Sequence, residues 1–393
     1  MARDIDSKPS PPSSGNSSNP LLALEQYGQS VWLDFLSRSW VKNGELARRI
    51  AEDGVSGVTS NPAIFQKAIE GSQDYAPAIA EQSRQTGLSP KQIFETLAVR
   101  DVQDAADVLR PVYDKTGGAD GFVSLEVAPD IALDTTASIE EGRRLWREVA
   151  RPNLMIKIPG TAEGLPAIRE LLGEGINVNI TLLFARSTYE KVAEIYLEAL
   201  EGRLARGESV HSVASVASFF VSRIDTAVDA QLAERAKRAN DRERLELESL
   251  GGTVAVANAK LAYQSFRDLF SGPRWLSLAA AGARPQRVLW ASTGTKNPSY
   301  SDVLYVDELI GPHTVNTMPL ETFAAFRDHG RVRQSLESDL DVAAAVLLRL
   351  ERAGISLEAI TRQLVADGVQ KFLEPYTQLL ASIERRVQQS PPR

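Results

Sequence analysis

Alternation with a period of two is the feature that most constrains this chain. Around 123–127, Val123, Leu125 and Val127 share one side of an extended segment and Ser124 and Glu126 the other. Leu154, Ile156 and Ile158 likewise oppose Lys157, while Ile176, Val178, Ile180 and Leu182 oppose Asn177, Asn179 and Thr181, and Val31, Leu33 and Phe35 oppose Asp34. Successive side chains of a strand point to opposite faces, so each stretch is a strand with one apolar and one polar side. With the runs at 57–60, 213–220, 287–293 and 314–319, the candidates at 31–35, 123–127, 154–159 and 176–183 make eight strands. Helical patterns lie between them, clearest at 91–115, 138–150, 187–206, 222–240 and 253–270. Such alternation builds a parallel sheet. An open, doubly wound sheet covers both strand faces with helices and reads as continuous apolar runs, whereas a closed barrel turns one face to a lumen whose end carries polar chemistry. The two-faced strands therefore predict an α/β fold, a (β/α)8 TIM barrel. Additional C-terminal helices are expected over about 337–388, where Val342, Val346, Leu347 and Leu350 keep helical spacing.

Residues 1–19 are rich in Ser, Pro, Gly and Asn, too polar to offset the entropy of ordering, and read as a disordered tail ahead of a single barrel domain at 20–393. Two helix entrances match the capping-box pattern, Ser138 with Glu141 and Ser187 with Glu190. Pro152, and Gly251 with Gly252, punctuate the chain between elements.

Composition removes several classes of function. The 44 Lys and Arg against 51 Asp and Glu leave a net charge of −7, contrary to what binding a nucleic-acid backbone requires, so no nucleic-acid partner is expected. Cysteine is absent, which excludes thiolate chemistry and Cys-based metal sites. The three histidines, His211, His313 and His329, have no ligand spacing, so no metal is expected. No apolar run is long enough to span a membrane and the N-terminus lacks a signal-peptide core; the expected compartment is the cytoplasm, with no membrane partner.

Lys157 is the most informative residue. Its neighbours face the helices, so its side chain turns to the lumen, where an amine kept from water favours the neutral form that attacks carbonyls. The same placement also suits a structural ion pair with Glu126 or Asp34. A Schiff-base enzyme needs, besides the amine, an acid/base for loss of water from the carbinolamine and a second carboxylate at the substrate hydroxyl. Glu126 suits the first task, with Thr181 relaying through a water, and Asp34 the second.

These residues sit in seven blocks, in order: Trp-Leu-Asp-Phe (32–35), Gly-Val-Thr-Ser-Asn-Pro-Ala-Ile-Phe (57–65), Ser-Leu-Glu-Val (124–127), Leu-Met-Ile-Lys-Ile-Pro-Gly-Thr (154–161), Asn-Ile-Thr-Leu-Leu-Phe (179–184), Ala-Ser-Phe-Phe-Val-Ser-Arg-Ile-Asp (217–225) and Ala-Ser-Thr-Gly-Thr-Lys-Asn-Pro (291–298). In them the chain resembles the transaldolases, specifically the longer bacterial subfamily, from about residue 19 to at least 330. The resemblance implies a class I mechanism with no metal or organic cofactor. Lys157 would hold a dihydroxyacetone unit as a Schiff base, Asp34 would take the proton of the C4 hydroxyl, and Glu126 with Thr181 would serve dehydration and hydrolysis. Asn61, Asn179 and Ser218 would bind the hydroxyls of that unit, although Asn61 before Pro62 also reads as a turn or cap and Ser218 as a small strand residue.

Arg223, at a helix entrance after the sixth strand, would bind phosphate. Short transaldolases place a second arginine after the seventh strand; here Thr295-Lys296-Asn297-Pro298 stands there, and Lys296 supplies charge without a bidentate fork. The related fructose-6-phosphate aldolases carry glutamine and tyrosine where Glu126 and Phe220 stand, so both positions follow the transferase pattern. The implied partners are sugar phosphates. An aldolase of that kind is the alternative, and a catalytically silent binding barrel a further one. The sequence leaves the oligomeric state open.

Overall fold

The computed structural model describes residues 19–84 and 87–389. Eight parallel strands, β1 (Gln29–Leu33), β2 (Val55–Thr59), β3 (Phe122–Glu126), β4 (Leu154–Pro159), β5 (Val178–Leu183), β6 (Ser215–Phe220), β7 (Arg287–Ala291) and β8 (Thr314–Met318), pair in sequence order, and β8 closes on β1. The predicted (β/α)8 barrel is therefore the fold. Every residue of β4, β5 and β6 is buried, because helices cover the outside and side chains fill the lumen. Closure is what lets the polar faces of those strands exist, since in an open sheet they would lie against apolar helices.

The lumen is plugged at the end where the strands begin. Asp120, just before β3, accepts hydrogen bonds from Trp32 Nε1 at 2.7 Å, from Ser56 Oγ at 2.9 Å and from Ser30 Oγ. It also pairs with Arg287 at 3.4 Å, whose guanidinium lies 6.0 Å from the Trp32 ring centroid. The indole presses on Gly57, where a Cβ would fall 2.4 Å from its ring atoms, so only glycine fits there. This floor leaves the opposite end as the one open to chemistry.

Helix boundaries follow the periodicity closely, at Pro90–Lys115, Thr135–Val149, Arg186–Ala205, Ser222–Ala236 and Val254–Leu269. The two expected capping boxes do not form. Asp134 caps the second of these helices by accepting from Ala137 N, while Ser138 donates to the Ile131 carbonyl and Glu141 accepts from Ala128 N. Ser187 lies inside a helix that starts at Arg186 without a side-chain cap, and Glu190 pairs with Arg186 and accepts from Ser265. A carboxylate one residue ahead of the first turn outcompetes a hydroxyl inside it. Capping boxes occur instead at Ser89 with Gln92 and Asn240 with Glu243.

Two C-terminal helices, Leu340–Arg352 and Leu357–Gln389, follow the barrel. Val346 and Leu350 are buried and Leu347 half-buried, but Val342 is exposed because the face it occupies turns to solvent. The first helix packs on Val254–Leu269; the second packs on Pro62–Glu70 and Pro90–Lys115 and reaches the end of β5. Of the expected N-terminal tail, residues 1–18 lie outside the described residues. Asn19 does not belong with it, because its side chain caps the helix Pro20–Leu24 and donates to Asp53 at 2.8 Å. No described helix is long and apolar enough to cross a membrane.

Asp120→Ala would leave the mostly buried Arg287 cation without its carboxylate, a change that costs on the order of 3–5 kcal/mol. The expected result is a correspondingly lower denaturant midpoint in equilibrium unfolding, and an unchanged midpoint would remove the floor from this account.

Candidate active site

The candidate side chains stand on the strands or on the segments that follow their carboxyl ends. Lys157 projects from β4 and is 4% exposed. Its Nζ lies 3.1 Å from Glu126 Oε2 on the neighbouring β3 and donates to the Ser60 carbonyl, one residue past β2, at 3.2 Å. Register explains the first contact, since Glu126 pairs with Lys157 across the ladder. Asp34 follows the last residue of β1, held there by its N–H to the Met318 carbonyl at 2.9 Å. Its carboxylate accepts from Thr59 Oγ1 at 2.8 Å, and Thr59 in turn meets Thr317 at 2.8 Å.

Burial raises the pKa of both carboxyls above the ordinary range. For Asp34 this is offset by the Lys157 charge, the Thr59 hydrogen bond and the charges of Arg223 and Lys296. For Glu126 it is offset chiefly by Lys157 and reinforced by Asp34. Two carboxyls with raised pKa values beside one amine are suited to giving and taking protons.

Asn179 and Ser218 form one buried chain. Ser218 Oγ donates to Asn179 Oδ1 at 2.6 Å, and Asn179 Nδ2 donates to Ser124 Oγ at 3.0 Å. Thr181 is fully buried on β5, and its hydroxyl has no hydrogen-bond partner in the protein. Asn61 does cap a helix: its Oδ1 accepts from Ile64 N at 3.0 Å at the start of Pro62–Glu70. It also lines, with Ser60 and Glu126, a small cavity under Tyr376.

Phe220, at the end of β6, packs on Phe184 at 5.2 Å between centroids and lies under the Arg223 guanidinium at 5.1 Å. Arg223 Nη1 is buried without a hydrogen-bond partner, and burial lowers the pKa of the guanidinium while Asp34 and Glu126 raise it. The helix entrance offers less than expected to an anion, since Ser222 N already donates to the Ser292 carbonyl and Ile224 N to that of Val221. What faces an anion there is the cation. Lys296 is exposed on the loop after β7, and its charge acts on Asp34 together with that of Arg223.

A tether that sequence reasoning missed fixes this loop to the helix Ser222–Ala236. Asp225 accepts from Ala255 N at 2.7 Å and Tyr305 Oη at 2.9 Å. One turn on, Asp229 accepts from Gly252 N at 3.2 Å and Tyr300 Oη at 2.8 Å. Two carboxylates at i and i+4 share a helix face, which is the signal that would have found them. Also missed were Thr59, Thr317 and Ser124, small polar residues that hold the named ones. Among the described residues no three His, Asp or Glu side chains gather as metal ligands.

A buried amine beside a carboxylate in a (β/α)8 barrel suits Schiff-base chemistry of the aldolase type. Comparison with known proteins agrees. The family model described as transaldolase/fructose-6-phosphate aldolase matches residues 31–383, and the chain belongs to this family. It is similar to the transaldolase of Trichodesmium erythraeum (strain IMS101), 47% identical over 377 residues that cover 95% of this chain and 99% of that one. It is also similar to the transaldolase of Thiobacillus denitrificans (strain ATCC 25259 / T1), 48% identical over 360 residues, 92% of this chain and 98% of that one.

Burial moves the Asp225 carboxyl up to about 6, its hydrogen bonds to Ala255 and Tyr305 notwithstanding. The native protein then holds a proton at Asp225 between about pH 4 and 6 that the unfolded chain has lost, so this group favours folding below that window and its contribution is lost as pH rises through it. Asp225→Asn is expected to flatten the fall of stability across that window in pH-resolved denaturant titrations. An unaltered slope would contradict the assignment.

Proposed function

We propose that the protein is a transaldolase of the cytoplasm that carries a three-carbon dihydroxyacetone unit between sugar phosphates. Sedoheptulose 7-phosphate or fructose 6-phosphate is the donor; glyceraldehyde 3-phosphate or erythrose 4-phosphate is the acceptor. The observation that carries this reading is the Lys157 amine, buried and within 3.1 Å of Glu126 inside a family-typical barrel. The bland alternative, a structural ion pair, leaves unexplained why Asp34, Thr181 and Arg223 converge on the same barrel mouth with two of their polar groups unsatisfied.

In this reaction the Lys157 amine adds to the C2 carbonyl of the ketose, and Glu126, with a water held at the Thr181 hydroxyl, protonates the departing oxygen, giving the iminium and one water. Asp34 takes the proton of the C4 hydroxyl, the C3–C4 bond breaks, the aldose phosphate leaves, and the electron pair rests in the enamine on Lys157. Attack of C3 on the acceptor aldehyde reverses that step, with Asp34 returning the proton to the new hydroxyl. Hydrolysis then frees the ketose. Serving both directions is what a carboxyl with a raised pKa is suited to.

Asn179 and Ser218, already aligned by their mutual hydrogen bond, and the second polar atom of Asn61 would hold the hydroxyls of the three-carbon unit. Arg223 would bind phosphate, with Lys296 adding charge from the loop after β7. Transfer rather than plain aldol cleavage is supported by Glu126 and Phe220, where the related aldolases carry glutamine and tyrosine. Phe220 presents a ring with no hydroxyl to hold a water, so the adduct persists until an acceptor arrives.

Arg223→Ala is expected to raise the KM for fructose 6-phosphate by at least about tenfold, since a buried guanidinium–phosphate contact is worth roughly 1.5–3 kcal/mol. The same variant should turn over unphosphorylated fructose, at its low rate, as the unmutated enzyme does. Steady-state assays with erythrose 4-phosphate as acceptor read both through the sedoheptulose 7-phosphate formed. Equal loss with both sugars would take Arg223 out of the phosphate site, and absence of any erythrose 4-phosphate-dependent turnover in the unmutated protein would overturn the transaldolase reading.

A further inference from the structure

The C-terminal helix Leu357–Gln389 is not one of the eight that alternate with the strands, yet one of its side chains reaches the reactive lysine. The Phe372 ring centroid lies 5.4 Å from Lys157 Nζ, and Phe372 is itself only 5% exposed. Glu126 and the Ser60 carbonyl hold the amine through hydrogen bonds; Phe372 supplies an apolar boundary.

The contact is part of a continuous helix face. Residues four apart stack along one side of a helix, and Gly368, Phe372 and Tyr376 do so here. Gly368 lies on Leu182, where an added Cβ would sit 2.8 Å from Leu182 Cδ2. Leu182 has φ of 59°, strained for leucine, and follows Thr181. Tyr376 meets Phe94 edge-on at 5.8 Å and lines the cavity beside Ser60, Asn61 and Glu126. The glycine lets the helix approach the mouth closely enough for the next side chain of the face to arrive over Nζ. A helix that only shielded the barrel from outside would not need to reach the amine.

On the reading that Lys157 carries a dihydroxyacetone adduct, we propose that Phe372 determines how that adduct partitions between transfer and hydrolysis. Loss of the unit to water needs three events: the enamine takes a proton at C3, a water oxygen adds to the iminium carbon, and the C–N bond breaks to leave free dihydroxyacetone and the amine. The first event alone separates release from transfer, because the ketose product also leaves by hydrolysis of an iminium, and it requires a water beside the adduct to deliver the proton. A phenyl ring there has no group to hold one, while its face stabilises the cationic nitrogen. Phe220 performs the same exclusion from the barrel wall, so the adduct is screened by rings from two elements far apart in the chain.

The test uses the full-length protein and its Phe372→Leu and Phe372→Met variants, substitutions that a core ordinarily accepts at small cost. Val369→Ala serves as a control: it weakens packing of the same helix at a buried position that borders an outer groove with Thr161 and Thr188. Free dihydroxyacetone released from fructose 6-phosphate without acceptor is measured against sedoheptulose 7-phosphate formed with erythrose 4-phosphate. Both Phe372 variants are expected to raise the ratio of release to transfer by about tenfold, and Val369→Ala to leave it unchanged. A ratio that stays within about twofold in both Phe372 variants, with the two rates falling together, would overturn the proposal. So would a rise of the same size in Val369→Ala, which would mark a general loosening of the helix. If one Phe372 variant fails to fold, the other decides. Failure of the transaldolase reading is separate, because it shows as no transfer in the unmutated protein.

Discussion

A lysine amine cannot be held inside a protein without groups that compensate its lost hydration, and the rest of this structure follows from the way that is done at Lys157. Glu126 comes from the next strand and the Ser60 carbonyl from the strand beyond, so the amine is satisfied only when β2, β3 and β4 lie in register. The barrel is the device that enforces this register. Closing β8 on β1 brings Asp34 to the same rim, where the Lys157 charge acts on it. Burial that raises both carboxyls works against holding charge at this point of the fold, so stability and the proposed chemistry pull against each other there.

Packing elsewhere compensates for that conflict. The floor built by Trp32, Asp120 and Arg287 fills the other end of the lumen and lets the strand rims be shaped by function alone. On the outside, Asp225 and Asp229 bind the start of the helix Val254–Leu269 and two tyrosines of the segment after β7. Those hydrogen bonds set the distance between Arg223 and the loop that carries Lys296. On the proposed reading, a lysine point charge on this held loop would take the place of a second arginine, with less directional demand on the phosphate.

Much of the fold was legible because side-chain alternation in a strand is set by backbone geometry, which does not depend on the rest of the chain. The polar faces bearing Lys157, Glu126, Asn179 and Thr181 could be assigned to the lumen for that reason. Features that depend on competition between neighbours were less readable. Ser138 with Glu141 has the form of a cap, but Asp134 lies nearer the true helix start and takes the role. Asn61 combines two readings that the sequence sets against each other, since one oxygen caps a helix while the residue borders the site. Phe372 left no local trace at all. It is one more apolar residue at helical spacing, and only the path of the C-terminal helix brings it to Lys157.

The central claim is that Lys157 forms a covalent adduct with the ketose. The most direct measurement is borohydride reduction of the protein in the presence of fructose 6-phosphate, followed by peptide mass spectrometry, with Lys157→Ala in parallel. The account predicts a reduced dihydroxyacetone adduct on the peptide containing Lys157, and none anywhere on the variant. A folded, unmodified protein, or an adduct that persists in Lys157→Ala, would contradict it.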